Sequence, residues 1–493
     1  SLAWACMRIA RRFFLPLFML FAAANLLIAK PFAVVSLENP KTFSQKILSV
    51  VKVLSPEDYQ NTELMLATQL AMFGYPDFDG IDLSKNVIIG FYQNKDAVDT
   101  YISIKADKNS RFCAALKLLS DMSKAQGTNF PRFDNINGYT ILSFSQNPVS
   151  PEIAAELAKL ADKKTGLLAE CTFRMPELTK STWQSMQTLY LNPDFLDSLS
   201  QFFADFEDLC VQFDISPEIA TLNFLCNTNK NSKLAAILDK PISKSSVEYC
   251  RYFEDCEFYM LAFGKNDAKL NEYFGTIFVE KMLPTLVKDK SQLKELSDMV
   301  LKYANFENEV ALYTDLNSQI SLAKTNATES EIEKLLTFAD KLNFMNIVLP
   351  ASKDDDPQLP QISYKTEKIN VNGKSILKFS ASVNGEAADT LYYTLADKTL
   401  INAKSQENAL VYADKIEKKQ FAKNPVICDL DGQYRFLACG KNREIFADCN
   451  VYYNKGTVKA LSVLPMKNLQ KLQQVIMGYA AKIKEQAQLQ EDE

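Results

Sequence analysis

None of the 493 residues is a histidine. That absence removes Ser-His-Asp and Cys-His catalysis, zinc sites built on imidazole, and the usual proton shuttle near neutral pH. Chemistry on this chain would have to run on carboxylate pairs, on lysine or tyrosine, or on an all-oxygen metal site. Glycine is scarce at 14 residues, which disfavours phosphate-cradling loops and glycine-rich β-solenoids. The cysteines include no C-x-x-C pair, so zinc ribbons and thioredoxin-like motifs are unsupported. At most one or two disulfides are expected among Cys113, Cys171, Cys210, Cys226, Cys250, Cys256, Cys428, Cys439 and Cys449, because cysteine also packs as a small apolar residue. No basic stripe interleaved with aromatics is found, and a formal net charge of -5 argues against nucleic acid as a partner.

What is present is the composition of a globular protein, 47% hydrophobic and 23% charged, with chain enough for several cores. Near the start, Met7 precedes Arg8, Arg11 and Arg12, and then FFLPLFMLFAAANLLIA runs from 13 to 29. A basic cluster, a short apolar run and small residues at its end predict a secretory signal. Cleavage is expected after Ala22-Ala23-Ala24 or at Ala29. Left uncleaved, the same run approaches the ~20 residues that span a bilayer and would anchor the chain in the inner membrane. Removal through Ala29 takes away three arginines and no acids, moving the net charge from -5 to -8. The expected location is therefore periplasmic or extracellular, with membrane contact only through residues 13–29.

Downstream the pattern is modular. A strand at Phe32–Leu37 leads to Asn39-Pro40, an N-cap followed by proline at the first helical position, and Ser55-Pro56 opens a second helix. A hairpin is predicted over 86–104, a helix around Phe112–Met122, a strand at Gly138–Ser145, and a helix capped by Ser150 that ends in Ala161-Asp162-Lys163. Residues 391–416 repeat this plan. Leu391–Leu395 and Thr399–Ala403 alternate as strands about a turn at Ala396-Asp397-Lys398, and Ser405 caps a helix carrying Ala409, Leu410, Ala413 and Ile416. A further instance runs from Ser318–Lys324 through the cap Thr328 to Ala339-Asp340-Lys341. The pentapeptide SPEIA occurs at 150–154 and 216–220, but helical spacing follows the first copy and strict alternation the second, so one helix and one strand are predicted. Strands at 450–454 and 457–463 precede a closing amphipathic helix with Leu469, Leu472, Val475, Ile476, Tyr479 and Ile483 on one face.

Two constellations invite a chemical reading and fail it. Asp77, Asp79 and Asp82 sit in an acidic turn, but an EF-hand needs glycine sixth and a bidentate glutamate twelfth, whereas Gly80 is fourth and Ile88 twelfth. Ser49-Val50-Val51-Lys52, Ser120-Asp121 and Lys164-Thr165-Gly166 follow the order of penicillin-recognising serine enzymes. Met122 stands where that pattern needs asparagine, Ser49 lies late in its helix, and Gly166 reads as a helix C-terminal cap. Asp354, Asp355 and Asp356 read as an exposed acidic linker, 352–361, rather than a cation site.

The stretches GIDLSKNVIIGF (80–91), NGYTILSF (137–144), ATLNFLCNTNKNSKLAAIL (220–238) and LYYTLADKTLINAKSQENAL (391–410) together resemble a loose group of uncharacterised exported bacterial proteins built from domains of unknown function. The resemblance implies a bacterial envelope setting and carries across no catalytic residues.

The expected fold class is α+β: antiparallel sheets with helices packed on one face, in two similar, duplicated halves. Residues 1–29 form the signal or anchor, 30–250 an N-terminal α+β domain and 251–493 a C-terminal α+β domain. No catalytic, cofactor-binding or metal-binding residues are expected. A non-enzymatic binding or scaffolding role, with an envelope protein or ligand as partner, leads. A histidine-free hydrolase with paired carboxylates and a carrier of an apolar ligand are the alternatives.

Overall fold

The computed structural model describes residues 31–467 apart from 95–96, 129, 146–147, 164, 179–181, 183–192, 241–244, 257–258, 267, 316–317, 342–361, 431–433, 442–447 and 455. The expected signal, the acidic linker and the closing helix lie outside the described residues. Among the described residues, no helix is long and apolar enough to cross a membrane. The chain divides into two compact units. One takes residues up to Leu189, Asp208–Leu225 and the stretch from Ser462 onward; the other takes Tyr190–Glu207 and Cys226–Leu461.

In the first unit β1 (Ala33–Leu37) leads to α1 (Pro40–Leu54) and α2 (Tyr59–Leu70), then β2 (Val87–Asn94), β3 (Ala97–Lys105) and α3 (Arg111–Ala125). β4 (Arg132–Ile136), β5 (Tyr139–Ser143), α4 (Pro151–Ala161) and β6 (Ala169–Arg174) follow. The chain then passes through α5 (Pro193–Phe202), in the second unit, to reach β7 (Phe206–Ile215) and β8 (Ile219–Thr228). The antiparallel order is β4-β5-β3-β2-β1-β6-β7. The caps form as their residues dictate: Asn39 Oδ1 accepts from the Thr42 N–H at 3.0 Å and Ser150 Oγ from the Ile153 N–H at 3.3 Å. Ser55 makes no side-chain cap; a short 3₁₀ turn, Pro56–Asp58, precedes α2 instead.

β5 carries Ile141 and Leu142 side by side, and neighbours in a strand point to opposite faces, so both faces of this sheet demand cover. On one, Val34, Ile88, Tyr92, Tyr101, Tyr139 and Ile141 pack under Ala154, Leu157 and Ala161 of α4. On the other, Ile104, Phe133 and Leu142 meet Phe112, Cys113 and Leu116 of α3, while Phe213 and Ile215 meet Phe43 and Ile47 of α1. Helices thus lie on both faces, where one face was expected.

The second unit contains α6 (Lys233–Leu238), β9 (Ser245–Ser246), β10 (Tyr259–Asn266), α7 (Ala268–Ile277), α8 (Leu283–Leu286) and α9 (Lys290–Ala304). It continues with β11 (Asn308–Thr314), β12 (Gln319–Lys324), α10 (Glu329–Lys341), β13 (Ile362–Val371), β14 (Lys374–Val383), β15 (Glu386–Ala396) and β16 (Thr399–Ala403). α11 (Gln406–Glu417), β17 (Asp429–Leu430), β18 (Tyr434–Lys441), β19 (Asp448–Asn454) and β20 (Thr457–Pro465) complete it. A single π turn, Phe278–Met282, joins α7 to α8; Pro284 has no N–H to continue the regular ladder there.

Its antiparallel order is β13-β14-β15-β16-β12-β11-β10-β18-β19. From β15 to β19 the pairing repeats that of β4 to β7 strand for strand, with α10 in the place of α3 and α11 in that of α4. Val34–Gly90–Tyr101 form a rung of the first unit beneath α4, and Phe263–Ala311–Leu322 a rung of the second in the core shared with α11. All seven first-unit strands in this scheme precede residue 250 and all their counterparts follow it. The second unit departs in two ways. It adds the hairpin β13–β14, and it joins β18 to β19 through 442–447, where β6 reaches β7 through 175–205.

Candidate functional site

The residues that suggested serine-enzyme motifs sit on separate elements. Ser49, on α1, donates its hydroxyl to the Lys46 carbonyl at 2.7 Å. Lys52 places its ammonium 5.7 Å above the Tyr59 ring. Ser120 and Asp121 belong to α3, and Gly166 takes φ +68° in the loop after α4; Lys164 lies outside the described residues. In the acidic turn, Asp77 pairs with Lys41 at 2.9 Å and Asp82 accepts from the Ser84 N–H at 2.9 Å. That hydrogen bonding holds the Asp82 carboxyl below its ordinary range. Among the described residues no group of three metal-ligating side chains converges, and Cys113, Cys171, Cys210, Cys226, Cys250, Cys256 and Cys428 are free thiols. Burial pushes Cys171 up to about 12 and Cys210 to about 11, the opposite of what a reactive thiolate needs.

A groove of about 410 Å³ lies between α9 and α10. Leu296, Met299 and Phe338 form its apolar floor, and Gln292, Glu295, Ser330, Glu333, Lys334 and Thr337 its polar rim. Both helices are held by local chemistry the residues spell out. Asp289 caps α9, accepting from the Gln292 N–H at 2.8 Å. Thr328 and Glu331 form a capping box on α10: the Glu331 carboxylate accepts from the Thr328 N–H at 2.8 Å and the Glu331 N–H donates to the Thr328 hydroxyl at 3.3 Å. Lys302 of α9 reaches Glu331 at 2.6 Å. Together these bonds, the Lys302 contact foremost, bring Glu331 down to about 2.

The rim is charge-paired. Lys334 donates to Glu295 across the groove at 2.6 Å, which raises the lysine above its ordinary value. Glu333 lies 3.9 Å from Lys368. The signal for this groove was present in sequence as Leu293, Leu296 and Met299 on one helix and Leu335 and Phe338 on another. Nothing local, however, says that those two helices meet.

Beside α11 the sheet is packed with aromatic rings. Phe253 stacks on Tyr313 at 4.7 Å, and both pack against α11 through Tyr412. Glu309, buried beneath, accepts from the backbone N–H groups of Glu248 at 2.6 Å and Tyr249 at 3.3 Å. Burial pushes the Tyr249 phenol up to about 12. No family model, no curated protein and no solved structure matches the chain.

Proposed function

We propose that the chain is an exported bacterial envelope protein with a non-enzymatic binding or scaffolding role, built from two copies of one sheet module. The groove between α9 and α10 carries this reading: an open trough with an apolar floor and carboxylates beside lysines. Such a surface offers area and charge pairing to a peptide or another envelope protein and sets up no proton transfer. Duplication is supported by the shared strand pairing. It also accounts for two of the three Ala-Asp-Lys helix ends, 161–163 and 413–415, which occupy equivalent places after β5 and β16. Export rests on the basic and apolar pattern of residues 8–29.

The test is a photo-crosslinking residue at Thr337 in the chain expressed in its native envelope. A discrete crosslinked envelope partner, lost when Met299→Asp spoils the floor, is the expected result. A covalent adduct on the purified chain from broad activity-based probes would refute the non-enzymatic role. Recovery of the chain only in the cytosol would refute export.

A further inference from the structure

One heptapeptide is used in two helices and treated differently in each. Leu116–Met122 of α3 reads LKLLSDM and Leu293–Met299 of α9 reads LKELSDM, so Leu118 stands where α9 carries Glu295. In α9, Leu296 and Met299 are buried, at 6% and 8% exposure, and Leu296 packs with Leu335 and Phe338 of α10. Glu295 stays on the exposed rim and pairs with Lys334. In α3, Phe112, Cys113 and Leu116 pack with sheet residues, and Leu118 and Met122 stand 53% and 48% exposed. Ala114 and Ala125 are exposed with them. At 3.6 residues per turn these four fall on one stripe, apolar where a solvent-facing helix carries polar residues. Lys117 and Asp121, both exposed, line one flank of it, four residues apart.

We infer that α3 is a homodimerisation helix, packing antiparallel on α3 of a second copy about a two-fold axis level with Leu119. Packing and charge select that centre together. Ala114, Leu118 and Met122 make a ridge that rises every four residues, the kind that fits into the groove of a second helix. Two such ridges interleave evenly only about an odd-numbered residue, where they run two residues, about 3 Å, out of step. About an even-numbered residue they meet head to head. Among the odd centres the charges decide. A two-fold at Lys117 opposes it to the partner subunit's Lys117, and one at Asp121 opposes it to the partner subunit's Asp121. At Leu119, Lys117 is level with the partner subunit's Asp121, and Asp121 with the partner subunit's Lys117. The axis lies in the interface, so each pair shares one flank. Asp121 has Lys124 of its own helix at 3.9 Å, an exposed contact that leaves the carboxylate able to accept a second partner. Met122 enters between the partner subunit's Ala114 and the partner subunit's Leu118. The surface is thus complementary to itself, as an isologous contact requires. A single helix pair is a small interface, so association should depend strongly on concentration.

Sedimentation equilibrium of the mature chain tests this with four variants. Wild type should dimerise. Leu118→Glu gives α3 the residue that α9 carries at this place and should weaken the dimer about a hundredfold, because two leucines lose their cover. Lys117→Glu opposes carboxylate to carboxylate at both flank contacts, and Asp121→Lys opposes lysine to lysine, so each should weaken it about tenfold. The double variant Lys117→Glu/Asp121→Lys restores opposite charges at both contacts and should recover wild-type association. All three side chains are exposed, so the far-UV circular dichroism of the five proteins should coincide. A wild-type chain that stays monomeric at every concentration overturns the inference. So does a Leu118→Glu chain that dimerises as well as wild type, or a double variant as weak as the singles.

Discussion

Tyr92 on β2 and Tyr313 on β11, strands with the same place in the two pairing orders, are both buried beside a covering helix, and their surroundings differ. Tyr313 donates its hydroxyl to the Glu254 carbonyl at 3.0 Å, has Cys256 Sγ at 3.2 Å and lies flat against Phe253. Tyr92 is buried under Leu157 and edge-on to Tyr101 at 5.5 Å. Its hydroxyl has no hydrogen-bond partner among the described residues. Burial raises both phenols above their ordinary range. The opposite sheet face differs as well. Ile89 and Phe91 are buried together with Leu178 from the β6–β7 connection, whereas Met260 and Leu312 are 44% and 38% exposed. One pairing scheme therefore tolerates different fillings.

The largest expected effect comes from removing the second unit's aromatic stack. Phe253→Ala empties a fully buried site and should cost about 4 kcal/mol, read from urea unfolding. A loss below about 1 kcal/mol would show that the stack packs less tightly than described. The glycine rung comes next. A Cβ on Gly90 would stand 2.8 Å from both Leu157 Cδ2 and Tyr92 Cε2, so Gly90→Ala should destabilise by about 2 kcal/mol through overpacking. A neutral Gly90→Ala would mean that Leu157 and Tyr92 give way to the added methyl. A smaller contrast separates the tyrosines: Tyr313→Phe loses the bond to the Glu254 carbonyl, which keeps the Cys256 N–H at 2.9 Å, and should cost about 1 kcal/mol, whereas Tyr92→Phe should be neutral or mildly stabilising. Equal losses at the two sites would erase the distinction.

The smallest effect is in acid. Glu331 falls from an ordinary 4.5 to about 2, so its contribution to α10 is complete above pH 4.5 and is lost as pH falls through about 2. Glu331→Gln, which can still cap but carries no charge, should flatten that part of the acid-unfolding curve and lower the neutral midpoint. An unaltered acid limb would refute the pairing of Glu331 with Lys302.

Local grammar made much of the fold legible. The caps at Asn39, Ser150, Thr328 and Ser405 form where side chain and following residues predict them, since each bond spans only three positions. The two SPEIA copies separate as their continuations require, one into α4 and one into β8. The third Ala-Asp-Lys end, 339–341, closes α10, which takes the place of α3 rather than α4; a shared word there is no sign of a shared position. What could not be read was long-range. β1 lies between β2 and β6, and no local pattern names a partner so distant in sequence. Cover on both faces could have been anticipated from adjacent Ile141 and Leu142. The groove could not, because it depends on α9 and α10 meeting across β11 and β12.

The interleaved chain path also sets a timetable. Met466 packs with Leu168 and Ile215 in the core of the first unit and donates its N–H to the Glu218 carbonyl. A nascent chain that has not yet reached Met466 cannot finish its N-terminal unit, however early most of that unit was synthesised. The first part made is among the last completed, and the unfinished apolar surface must be kept from aggregating in the interval.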